Sequence, residues 1–133
     1  MIGLDTNILL RYLVQDDEKQ ARLASDLIEG KLSAHEQGFI SSVVLVELYW
    51  TLERRYKIVR NTLLDTIEKL LTTEELSFEH RDEAWKALQS AKSIKVGFTD
   101  ALISIVHQKY GCEITLTFDK RASRMGTFSL LDE

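Results

Sequence analysis

The chain predicts an α/β fold: a mostly parallel sheet of about five strands, covered by helices on both faces. Three observations predict it. Short apolar runs rich in β-formers alternate with longer amphipathic runs along the 133 residues, an order that builds parallel strands joined by helical crossovers. Proline is absent, and no linker, repeat or low-complexity stretch breaks the alternation, so a single domain over residues 1–133 is expected. With 44% apolar and 29% charged residues the chain has the composition of a globular protein with a real core.

The elements follow in order. MIGLD is a short apolar run, the first strand. TNILLRYLV and DDEKQARLASDLIEG read as two helices, the second with apolar residues at 21, 23, 24, 27 and 28. KLSAHEQ is a loop. GFISS is the second strand. It leads into a helix that follows the capping types Ser41 and Ser42 and runs through VVLVELYWTLERRYK without Gly or Pro. RNTLLDTIEKLLTT is amphipathic, with Leu63, Leu64, Ile67, Leu70 and Leu71 on one side. ELSFE is the third strand. HRDEAWKALQSAKSI is a helix bearing Ala84, Trp85, Leu88 and Ala91. GFTDALISIVHQKYG is the next helix, with Gly111 as its stop. EITLTF, DKRASRM and TFSLL read as the fourth strand, a short helix and the fifth strand.

Several classes of function are set aside by composition. No run of eighteen apolar residues is present, so no membrane span is expected. The start, MIGLDTNILLRYL, lacks a basic leader and a cleavage site, and a cytoplasmic location is expected. A single cysteine, Cys112, rules out an internal disulfide and a cysteine zinc cage. His35, His80 and His107 have no metal-ligand spacing. The formal charge of −4 argues against a nucleic-acid binder at first sight. Four acids gathered at one cation would account for that whole excess, and Arg54-Arg55-Tyr56-Lys57 and Lys120-Arg121 remain to face phosphates.

The stretch VVLVELYW carries one acid, Glu47, among seven apolar residues. Its helical neighbours are Val43, Val44, Trp50 and Thr51, and Trp50, like Trp85, reads as core or interface. A carboxylate taken into an apolar interior must be neutralised, paired or bound to metal. Three aspartates occupy comparable places. Asp5 ends the first strand, Asp100 opens the helix in GFTDALISIV, and Asp119 follows the fourth strand. Glu47 is read as starting the helix after the second strand. Parallel sheets bind ligands beyond the carboxyl ends of their strands, so these acids are expected to converge on one rim. Helix capping by Asp5 and Asp119 and a favourable helix dipole at Asp100 are the competing explanations. They leave Glu47 unexplained unless it pairs with an arginine such as Arg11. A cluster of four carboxylates repels itself and is suited to a hard cation, Mg²⁺ or Mn²⁺, that activates water at phosphorus.

The motifs LDTNILLRYL, ISSVVLVELYWTLERRY, FTDALI and TFDKR, in this order, resemble a PIN-domain ribonuclease of the VapC toxin type, over nearly the whole chain. The resemblance implies a three-layer α/β/α sandwich and an acidic Mg²⁺ or Mn²⁺ site that hydrolyses RNA. It puts Asp5, Glu47, Asp100 and Asp119 as metal-binding and catalytic residues, with Asp119 at a second or weaker subsite. Thr6, Asn7 and Thr117 would orient carboxylates or water through hydrogen bonds. Products with a 5′-phosphate and a 3′-hydroxyl are implied. Many relatives read DFADAL where this chain reads GFTDAL, so Gly97 and Thr99 depart from the pattern while Asp100 keeps it. The resemblance also implies a cognate antitoxin as partner, transfer or ribosomal RNA as substrate, and a homodimer. NILLRYLV and the helix at 61–72 offer apolar positions for such partners. Two other functions compete: a haloacid-dehalogenase-like phosphatase using Asp5, which needs an acid where Asn7 stands, and a catalytically silent, metal-stabilised binding module.

Overall fold

The computed structural model describes residues 1–132, in two compact units, Met1–Arg81 and the residues from Asp82 onward. The α/β class is the expected one, and every strand pairing is parallel.

In the first unit β1 (Ile2–Gly3), β2 (Gly38–Ile40) and β3 (Leu76–Phe78) form a sheet in the order β1-β2-β3. Gly38 sits opposite Ile2 on one side and Leu76 on the other. Helices α1 (Thr6–Val14) and α2 (Glu18–Ser25) connect β1 to β2, and α3 (Ser42–Arg54) and α4 (Arg60–Leu71) connect β2 to β3. Each helix start has a local cause. Asp5 caps α1, Asp17 accepts from Gln20 N–H at 3.0 Å ahead of α2, and Ser41 accepts from Val44 N–H at 3.2 Å ahead of α3. Gly38 is buried at the centre of the sheet. A Cβ there would stand 2.6 Å from Leu4 Cδ1 and 2.9 Å from Leu32 Cδ1, so the leucines fill the space a side chain would need.

The core of this unit draws on one face of each helix. Leu9 and Leu10 of α1, Leu45, Leu48, Tyr49 and Leu52 of α3, and Leu63, Leu64, Ile67, Leu70 and Leu71 of α4 are all buried. Each such side chain contributes about 1.5–3 kcal/mol of hydrophobic stabilisation. The apolar positions of α4 are therefore taken up by packing, and the expectation that they serve a partner is corrected. The second expected helix is also shorter than its pattern. After Ser25 the chain enters a π-helical turn, Asp26–Lys31, closed by Leu32 N–H to the Leu27 carbonyl at 2.8 Å. Ile28 in this turn and Leu32 just after it are buried, while Leu23 of α2 is 60% exposed.

The second unit holds α5 (Arg81–Ile94, whose first residue ends the first unit), α6 (Phe98–Lys109), β4 (Thr115–Thr117) and β5 (Phe128–Leu130). β4 and β5 pair in parallel, Thr115 opposite Phe128. Ala84, Ala87, Leu88 and Ala91 of α5 and Phe98, Ala101 and Leu102 of α6 are buried. Glu83 is nearly buried too, and Lys109 Nζ neutralises it at 2.9 Å. Gly111, at φ 95°, takes the left-handed turn that stops α6, as the sequence suggested. DKRASRM forms only a three-residue 3-10 turn, Ala122–Arg124, anchored by buried Ala122. Among the described residues no helix is long and apolar enough to cross a membrane.

Candidate active site

Two of the four acids lie in the first unit and are linked through one residue. Asp5 follows β1 and caps α1, its Oδ1 accepting from the Thr6 backbone N–H at 2.8 Å. Thr6 is 3% exposed, and its hydroxyl donates to Glu47 Oε1 in a short hydrogen bond. A single buried threonine thus holds one oxygen of each carboxylate. The remaining oxygens, Asp5 Oδ2 and Glu47 Oε2, are left for other partners.

Glu47 itself is exposed, which corrects the expectation that it lies in an apolar interior. It also sits in the second turn of α3 rather than at its start. The physical reason is helical phase. At about 100° per residue, Leu45, Leu48, Tyr49 and Leu52 form the buried face, and Glu47 points to the opposite side. Two of its helical neighbours are exposed with it, Val43 at 77% and Trp50 at 49%, so Trp50 is not a core residue. The arginine alternative also fails. Arg11 bonds Asp16 at 2.9 Å and Gln20 at 2.7 Å, and Glu47 accepts instead from Thr6. Asn7 lines a cavity of about 520 Å³ between α1 and α2, together with Arg11, Gln20, Leu23 and Leu27.

The other two acids lie in the second unit. Asp100 stands in the first turn of α6 and is half-buried. Burial, and then the negative charge of Asp119, raise its carboxyl above the ordinary value of 3.8. Gly97 precedes the helix. A Cβ at that position would lie 3.4 Å from Asp100 Oδ2, so glycine leaves this side of the carboxylate bare. Asp119 is exposed at the end of the β4 turn. Its backbone N–H donates to Thr117 Oγ1 at 3.0 Å, and its Oδ1 accepts from Arg121 N–H at 2.8 Å. Thr117 thereby fixes the backbone of Asp119 rather than its carboxylate.

The acids thus occur as two pairs, and among the described residues no group of three or more His, Cys, Asp or Glu is placed to hold a metal ion. The chemistry of the donors nonetheless suits Mg²⁺ or Mn²⁺. They are hard oxygens, two of them fixed by Thr6, and Asp100 carries a charge raised in cost by burial and by a like neighbour. A cation relieves that cost directly. The spacing of Glu47 and Trp50 on one face of α3 is legible in the sequence, but the structure places that face, with Arg54, in solvent rather than in the core.

Comparison with known proteins identifies the family. The PIN domain family model matches residues 2–127. A VapC ribonuclease of Aquifex aeolicus (strain VF5) is 27% identical over 123 residues, covering 92% of this chain and 90% of the relative. All four acids fall inside the matched region, and the chain belongs to the PIN-domain family.

Proposed function

We propose that this protein is a Mg²⁺- or Mn²⁺-dependent endoribonuclease, the toxin of a toxin–antitoxin pair, with Asp5, Glu47, Asp100 and Asp119 as its metal-binding and catalytic carboxylates. The observation that carries the proposal is the family match over residues 2–127, which contains every one of these acids. Kinship with a relative named as a VapC ribonuclease supports the choice of RNA.

The residues divide the work. Thr6 holds Glu47 and Asp5 in fixed rotamers, so that the two carboxylates meet a cation without reorganising. Asp5, Glu47 and Asp100 would be its principal ligands, with Asp119 at a weaker subsite. When bound, the cation supplies a lowered pKa for water and neutralises charge that develops on the phosphoryl oxygens. A carboxylate of the site accepts the proton of the attacking water. In-line attack leaves a 5′-phosphate and a 3′-hydroxyl and needs no 2′-hydroxyl. The recess between α1 and α2, with exposed Leu23 on its wall, offers an apolar surface to the antitoxin. We also place the protein in the cytoplasm, as a homodimer.

Incubating the purified protein with end-labelled RNA tests the proposal. Cleavage should require Mg²⁺ or Mn²⁺, stop with EDTA, and be lost in Asp5→Asn. Cleavage that persists in Asp5→Asn, or products ending in a 2′,3′-cyclic phosphate, would overturn it.

A further inference from the structure

Helix α3 has two faces of different character. One is the buried face described above. On the other, Val43, Glu47, Trp50 and Arg54 fall within an arc of about 60° and run along the helix as a single stripe. Trp50 is 49% exposed, unusual for the side chain with the largest apolar surface. The Arg54 guanidinium lies over the indole, 4.4 Å from its centroid. Trp50 stands about 4.5 Å along the axis from Glu47, one turn away. Arg54 has no carboxylate partner among the described residues, so its donors remain available beside the ring. Arg55 and Lys57, both exposed, extend the positive charge past the end of the helix.

From this geometry we infer that Trp50 and Arg54 form a stacking platform for an unpaired base of the RNA, one helical turn from Glu47. The inference rests on the ribonuclease reading and deepens it. An indole capped by a guanidinium stacks with any base, and the Arg54 donors suit an adjoining phosphate. Duplex RNA keeps its bases stacked on one another and presents none to the ring. A protein partner would match the exposed tryptophan as well, but the planar guanidinium stacked on the ring matches a base and its phosphate in particular. An oligonucleotide uses both features.

The test uses the full chain and a short fluorescein-labelled oligouridylate, with binding followed by anisotropy in Ca²⁺ and cleavage followed separately in Mg²⁺. Trp50→Ala should weaken binding about tenfold, the loss of roughly one stacked base. Trp50→Phe keeps a ring and should retain most of the affinity, with circular dichroism confirming the fold of both. An abasic residue moved along the oligouridylate should reproduce the loss at one position, and there Trp50→Ala should add nothing. Duplex RNA should bind wild type and Trp50→Ala alike. Equal oligouridylate binding by wild type and Trp50→Ala, with wild-type cleavage intact, would overturn the inference and leave the ribonuclease reading standing. The same holds if Trp50→Ala only changes self-association. A wild-type chain that neither binds nor cuts RNA would overturn both.

Discussion

Replacing Thr6 by valine removes one hydroxyl from a residue that is 3% exposed and leaves its shape unchanged. The hydroxyl is the donor to Glu47 Oε1. Hydrogen bonds to charged groups contribute about 1.5–3 kcal/mol when the abandoned partner stays dry. Glu47 is exposed and rehydrates at once, so the loss should be nearer about 1 kcal/mol. At about 2.1 cal/mol/K of unfolding entropy per residue, 133 residues give about 0.28 kcal/mol/K, and the melting temperature should fall by about 4 °C. The effect on the site should be larger than the effect on the fold. Glu47 loses the bond that fixes its rotamer, and Mn²⁺ affinity should fall about 10- to 100-fold, the usual cost of removing a group that orients a ligand. Calorimetric melting without metal and isothermal titration with Mn²⁺ measure the two effects separately. Thr6→Ser keeps the donor and should restore Mn²⁺ affinity. A Thr6→Val protein that binds Mn²⁺ as wild type does would refute the role given to this hydroxyl.

Three further outcomes are expected. Glu47→Gln should lose Mn²⁺ binding and RNA cleavage while its melting temperature moves by less than about 2 °C, because an exposed substitution shifts stability by about 0.5 kcal/mol at most; a large fall in melting temperature would make Glu47 structural. Asp100 has its folded carboxyl raised above 3.8, so the stability linked to its protonation is complete below 3.8 and is lost as pH rises through the folded value. At neutral pH the ionised group is therefore a burden on the metal-free fold. Asp100→Asn should melt above wild type there, and the difference should shrink in melts taken down past pH 3.8; a lower melting temperature at neutral pH would contradict the assigned burial. Gly38→Ala forces a Cβ to 2.6 Å from Leu4 Cδ1, and overpacking of this kind costs about 1–3 kcal/mol, a fall of roughly 4–11 °C. An unchanged melting temperature would show that Leu4 and Leu32 swing aside.

Much of the local structure was legible because its causes are local. Ser41 caps α3 with its own side chain, Gly111 takes the left-handed turn, and the five apolar residues of α4 share a face that ends in the core. The resemblance of four ordered motifs also held, since the family match spans them. The surroundings of Glu47 were misread for a definite reason. Apolar neighbours in sequence are not buried neighbours in space, because Leu45, Leu48, Tyr49 and Leu52 already complete the buried face of α3. Val43 and Trp50 were left over, and a helix has no further core to offer them. The π-helical turn at Asp26–Lys31 had no signal in the apolar pattern, because one extra residue per turn changes the hydrogen bonding without changing composition. Thr6 was marked for its place beside Asp5, but its bond to a residue 41 positions away needed the fold.

The most direct measurement is Mn²⁺ binding, followed by the paramagnetic resonance of the free ion, to the wild-type chain and to Asp5→Asn, Glu47→Gln, Asp100→Asn and Asp119→Asn. Each of the first three substitutions should weaken binding strongly, and the fourth more mildly. A wild-type chain that takes up no Mn²⁺, or an affinity indifferent to Asp5, Glu47 and Asp100, would contradict the proposed site.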